Sequence, residues 1–169
     1  MRGGRSRRMS PIEGFFMYSH AQRTESMGTM HIGSADPSAP PKIGYRFLQT
    51  TNDRLLAIAS IRMARAIVES PPLAETIAEE LAPGANVQSD NEILEYVRNE
   101  GTITHHMIGT CKMGHDPMAV VDDRLRIHGL EGVRVADASI MPTLTSGNTN
   151  IPSIMIGEKC AAMVLEDAA

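Results

Sequence analysis

Residues 105–152 read HHMIGTCKMGHDPMAVVDDRLRIHGLEGVRVADASIMPTLTSGNTNIP, and this stretch decides the reading of the chain. It opens on a histidine pair, and His106 stands three residues before a Gly109 and Thr110 turn. GVRVADAS, at 132–139, has the β-prone run of a buried strand entering a loop. SGNTNIP then leads into a helix expected to run to about Glu166. Pro152 suits the first helical turn, where its missing N–H costs nothing. Gly157 and Ala161, four apart, give that helix a small-residue face. An imidazole can accept a proton near neutral pH. An asparagine amide, as at Asn148, is no base but donates to an oxygen that gains negative charge.

The pattern H-x-x-G-T-x-x-M-G, filled by His106, Gly109, Thr110, Met113 and Gly114, resembles the C-terminal signature of the glucose–methanol–choline (GMC) flavoprotein oxidoreductases. SGNTNIP, with Asn148 placed 42 residues after His106, resembles the second half of that signature. QRTESMGTMHIGSADPSAPPKI (22–43) resembles the family's strand start followed by a DP-x-x-P-P loop. The resemblance covers roughly residues 22–167, and HHMIGTCKMG and SGNTNIPSIMIGEKCAAMVLED look closest to the choline-dehydrogenase-like bacterial branch. It implies FAD-dependent oxidation of an alcohol to an aldehyde or ketone. His106 would be the base and Asn148 the donor that orients the substrate oxygen. FAD would contact Asp137 and Ala138 near its ribityl or phosphate part, and Asn150 and Ile151 at its pyrimidine edge.

Each of these residues also has an ordinary reading. His106 can be a loop histidine, Asn148 a turn residue in S-G-N-T, and Asp137 a side chain that caps the backbone. On an extended segment the rings of His105 and His106 face opposite ways, and the motif selects His106. His106, Cys111, His115 and Asp116 match no common zinc spacing, so no metal is expected. No G-x-S-x-G surrounds Ser146, which argues against a serine hydrolase.

Upstream, the predicted elements are of another kind. Met30 and Ile32 alternate with Thr29 and His31, as in a half-buried strand that the 36–41 cluster stops. A helix is expected in TTNDRLLAIASIRMARAIVES, capped by Asn52 or Asp53, with Leu56, Ser60, Met63 and Ile67 stacked, and ended by Pro71 and Pro72. A shorter helix carries Leu73, Ile77 and Leu81 up to Pro83 and Gly84. Ser89 and Glu92 form a capping box for a third helix, faced by Ile93, Leu94 and Val97, with Gly101 as its C′ residue.

The fold class is therefore α+β: a partial antiparallel sheet backed by helices over 22–104, the histidine segment over 105–131, and a strand and helix over 132–169. The resemblance implies that the first is part of a substrate domain and the last completes a Rossmann-like FAD-binding domain. Residues 1–21 are expected to be poorly ordered. Four arginines by Arg8 lack the apolar run of a secretory signal, and a mitochondrial-type leader stays open as an alternative.

The 169 residues suffice for a core, and 42% hydrophobic with 21% charged residues is ordinary for a globular chain. A net charge of −4 gives no nucleic-acid footprint. No apolar run is long enough to span a membrane, and a cytoplasmic placement is expected. Twelve methionines beside three Phe and no Trp are expected as core filler. Cys111 and Cys160 suggest no disulfide framework. The chain has no phosphate-cradling G-x-G-x-x-G. The partner expected besides a small alcohol is thus a missing N-terminal FAD-binding half, with self-association through the apolar surface its absence would expose. The alternative is a truncated remnant or binding module that holds no flavin.

Overall fold

A computed structural model describes residues 13–169. Most of the poorly ordered start expected at 1–21 lies outside the described residues. Residues 13–20 are irregular and exposed.

Two short strands, β1 (Thr29–His31) and β2 (Lys42–Gly44), pair antiparallel, with Met30 opposite Ile43. The connecting loop is set by Asp36, whose carboxylate accepts from Ser38 N–H at 2.9 Å. The ribbon is not half-buried as the alternation suggests: Met30 is 49% and Ile32 90% exposed. A two-stranded ribbon has no sheet face to bury against unless other elements cover it.

Helix α1 (Thr51–Val68) starts two to three residues earlier than expected, because Thr50 rather than Asn52 or Asp53 is the cap, its hydroxyl accepting from Asp53 N–H at 3.1 Å. Asp53 has another task. Its buried carboxylate accepts from the N–H groups of Glu25 and Ser26, at 2.9 and 2.8 Å, and from the Ser26 hydroxyl. This ties the segment before β1 to the first turn of α1. Burial pushes the Asp53 carboxyl up, but the hydrogen bonds from Ser26, Glu25 and Thr50 outweigh it and hold the group below the usual carboxylate range. Helix α1 packs against α2 through Ile58, with Ala57 and Ile61 beside it. The expected stripe lies elsewhere: Met63 and Ile67 are exposed.

The helix expected around Leu73, Ile77 and Leu81 is a single 3-10 turn, Leu73–Thr76, and Leu81 is exposed. Three apolar residues, of which only Leu73 and Ile77 are half-buried, do not offset helix nucleation. Helix α2 (Asp90–Glu100) has the full capping box of Ser89 and Glu92, and its Ile93 and Leu94 are buried. Gly101 is the C-cap in extended rather than left-handed backbone. A Cβ there would meet Val97 O at 2.3 Å, so close approach is what requires the glycine.

The second half has its own core of Val121, Leu125, Ile140, Met141 and Ile156, joined by Ile108, Met113, Ala138 and Cys160. The GVRVADAS run is not a buried strand. It makes one isolated bridge, Arg126 to Arg134, and Val133 is 46% exposed. A strand needs hydrogen-bonded neighbours along its length, and here Val133 and Val135 pair only with the 125–127 segment among the described residues, while Ser139 turns to Cys111. A 3-10 turn, Ala138–Ile140, follows, and then α3 (Asn150–Asp167), with Pro152 in its first turn. Arg124 donates to Met163 O, Glu166 and Asp167, and Arg134 also bonds Asp167, which pins the end of α3 to this core. Arg23 Nε donates to Ser146 Oγ at 2.7 Å, linking the two halves.

Candidate functional site

The segment after His106 is held by backbone pairing. Cys111 N–H donates to Ser139 O at 3.0 Å and Met113 N–H to Ile140 O at 2.7 Å, so the G-T-x-x-M-G run lies along the 3-10 turn that precedes the loop into α3. Gly109 adopts φ +83°, and its Cα faces Met141 O, which a Cβ would meet at 3.4 Å. The positive φ is what favours glycine at this turn, since the contact with Met141 O would be an ordinary one.

Across 43 residues, His106 meets the start of α3. Its Nδ1 lies 2.9 Å from the Thr149 hydroxyl, and Thr149 N–H donates toward the same nitrogen at 3.4 Å. Thr149 is buried. His106 is half-buried, whereas His105 is exposed, in left-handed backbone at φ +59°, and makes no side-chain bond among the described residues. The structure thus brings His106, and not its neighbour, to the SGNTNIP loop. Asn148 is exposed immediately before Thr149, and its amide is unengaged among the described residues.

Thr149 is the residue that sequence reasoning missed. It is the N-cap of α3, yet its side chain makes no capping bond. The hydroxyl is turned to His106 instead. The signal was present as a threonine at the head of a helix, a position whose usual task is capping. That this one serves a histidine 43 residues away is not readable from local pattern.

The start of α3 is open. Asn150 and Ile151 are exposed, no acidic side chain lies in the first turn, and no acceptor among the described residues takes their N–H groups. Unpaired N–H groups at the positive end of an 18-residue helix suit an electron-rich partner. Asp137 accepts from Ser139 N–H at 2.7 Å through one carboxylate oxygen, capping the 3-10 turn, and Ala138 packs on the core. The other Asp137 oxygen is open to hydroxyl donors, which fits a ribityl chain better than a phosphate. The open N–H donors of Asn150 and Ile151 and the open acceptor oxygen of Asp137 are groups of the kinds that could hold a flavin.

The GMC oxidoreductase family model matches residues 24–157. The oxygen-dependent choline dehydrogenase of Klebsiella pneumoniae (strain 342) is 45% identical over 148 residues, covering 88% of this chain and 27% of that protein. Oxygen-dependent choline dehydrogenase 1 of Chromohalobacter salexigens is 44% identical over 153 residues, again with 27% of its own length covered. Among solved structures, pyridoxine 4-oxidase from Mesorbium loti is 34% identical with a TM-score of 0.79, over 83% of this chain and 28% of that one. An FAD-dependent oxidoreductase from Chaetomium thermophilum is 28% identical with a TM-score of 0.81, over 87% and 26%. The chain spans about a quarter of the length of the relatives it matches. With the family model across most of its residues, and His106 and SGNTNIP meeting in the fold, this chain belongs to the GMC oxidoreductases, where it corresponds to their C-terminal part.

Proposed function

We propose that this chain contributes the proton-handling residues of an FAD-dependent oxidoreductase that converts an alcohol to an aldehyde or ketone. The observation that supports this reading is the 2.9 Å contact of His106 with Thr149, the residue that follows Asn148 and precedes the open start of α3. His106 Nε2, on the ring edge away from Thr149, takes the hydroxyl proton. Asn148 donates from its amide to the same oxygen and holds the carbinol in place. The first-turn N–H groups of Asn150 and Ile151 meet the flavin's pyrimidine edge, and Asp137 and Ala138 its ribityl part. Bound FAD supplies the hydride acceptor.

The working enzyme is the assembly of this chain with an N-terminal FAD-binding portion such as its longer relatives carry. In that assembly residues 22–104 belong to the substrate domain, and residues 132–169 complete a Rossmann-like FAD-binding domain. The 105–131 segment carries the histidine. A choline-like primary alcohol is one candidate substrate among several.

The test is reconstitution. The chain is joined to, or co-expressed with, the N-terminal region of a choline dehydrogenase relative. The product is examined for a flavin spectrum and assayed on alcohols with an artificial electron acceptor. Yellow protein that turns over an alcohol supports the reading. An assembly that folds but takes up no FAD supports instead a non-catalytic module.

A further inference from the structure

We propose that Thr149 is a positioning residue for His106, its hydroxyl being the group that allows Nδ1 to carry a proton and so leaves Nε2 free as the base. This rests on the alcohol-oxidation reading above for its consequence, but not for its geometry.

A neutral imidazole has one N–H and one lone pair. If Nε2 is to accept the alcohol's proton, Nδ1 must bear the ring's own proton, and that proton needs an acceptor. Two groups face Nδ1, and only one of them is able to accept a hydrogen bond. Thr149 N–H, at 3.4 Å, can only donate, and by itself would draw the Nδ1 lone pair and send the proton to Nε2. The ring would then present a donor to substrate and have no lone pair there. The Thr149 hydroxyl, at 2.9 Å, can accept. It is also the closer contact by half an ångström, the N–H bond at 3.4 Å being a long, weak one.

The hydroxyl is free for this work because it caps nothing: α3 has no side-chain cap bond. The same acceptor serves after proton transfer. The imidazolium keeps its Nδ1–H, so the ring need not turn between the two states. Because Thr149 is buried and is itself the helix cap, the ring is also fixed relative to the start of α3. A valine in place of the threonine keeps the branched shape and removes the only acceptor at Nδ1 among the described residues.

The chain, labelled with 15N, is examined by long-range proton–nitrogen NMR at a pH well above the ordinary histidine range, where the ring is neutral. His106 is assigned through its loss in His106→Gln. The wild-type ring should show its proton on Nδ1. Thr149→Val should move that proton to Nε2, and Thr149→Ser should return it to Nδ1, which no loss of packing would do. A wild-type ring protonated on Nε2, or a Val variant with the wild-type pattern, overturns the proposal. Should Thr149→Val unfold the chain, the wild-type and Thr149→Ser spectra still decide it. In the reconstituted enzyme Thr149→Val should lower kcat on the order of 10²-fold, with KM little changed and Thr149→Ser close to wild type. The expected NMR pattern beside full activity of His106→Gln would leave the tautomer assignment standing and remove the base reading.

Discussion

Two adjacent histidines show how much one residue's surroundings decide. His105 is exposed in left-handed backbone, while His106 reaches Thr149. Asparagine tolerates that backbone well. We therefore expect His105→Asn to leave the His106 NMR signals and the reconstituted turnover within about twofold of wild type, since a surface change away from a bonded group rarely costs much. A tenfold loss would assign His105 a role in the site. Asn148→Ala should lower turnover by roughly 10²-fold, the scale for one lost donor to an oxyanion, with flavin content unchanged. Loss of flavin, with normal turnover per remaining flavin, would mark Asn148 as a turn residue. His106 was legible because its signature lies within nine residues of sequence. Thr149 was not, because its bond spans 43 residues and its position has an ordinary capping role.

Among the elements, Asp53 makes the sharpest prediction. Its carboxylate gathers the Glu25 and Ser26 donors onto α1 in a buried setting. Asp53→Ala strands those donors and should cost about 1–3 kcal/mol in denaturant unfolding. Since the folded carboxyl is held below its unfolded value, its contribution is present above the unfolded value and lost as pH falls through the folded one. The gap between wild type and variant should therefore narrow in acid. A gap constant from neutral pH to below the ordinary carboxylate range would contradict this. The helix at 90–100 was legible from its capping box, found residue for residue, and from its apolar spacing; the helix at 51–68 was legible as a helix, but its cap was placed too late. The face of α1 was misread because the 57/58/61 row and the 56/60/63/67 row, apolar but for Ser60, both suit a buried face, and only the partner, α2, decides between them. The 132–139 run failed as a strand for a related reason: β structure depends on neighbours that local pattern does not contain.

At the scale of the whole chain, the surface is far too large for its mass. It exposes 13058 Å², roughly 60% more than the ~8,100 Å² of a typical folded monomer of 18.3 kDa. The α3 residues Ile151, Ile154, Met155, Val164 and Leu165 are exposed, and only Ile156 of that helix is buried. Methionines expected as core filler, such as Met63 and Met118, are exposed as well. Surface of this kind is buried in a larger body or drives association. The isolated chain should elute as dimers or larger species in size-exclusion chromatography and bind a hydrophobic dye. A soluble monomer that binds none would count against this. No helix among the described residues is long and apolar enough to cross a membrane, so a bilayer-spanning helix does not account for the exposed faces.

The central claim is that His106 acts directly on the alcohol. The measurement that tests it most directly is the kcat of reconstituted, flavin-loaded enzyme against its His106→Ala variant, at saturating alcohol and with flavin content determined for both. Loss of the general base should lower kcat by about 10²- to 10⁴-fold while the flavin stays bound. A His106→Ala enzyme that keeps its flavin and turns over at the wild-type rate would contradict the account.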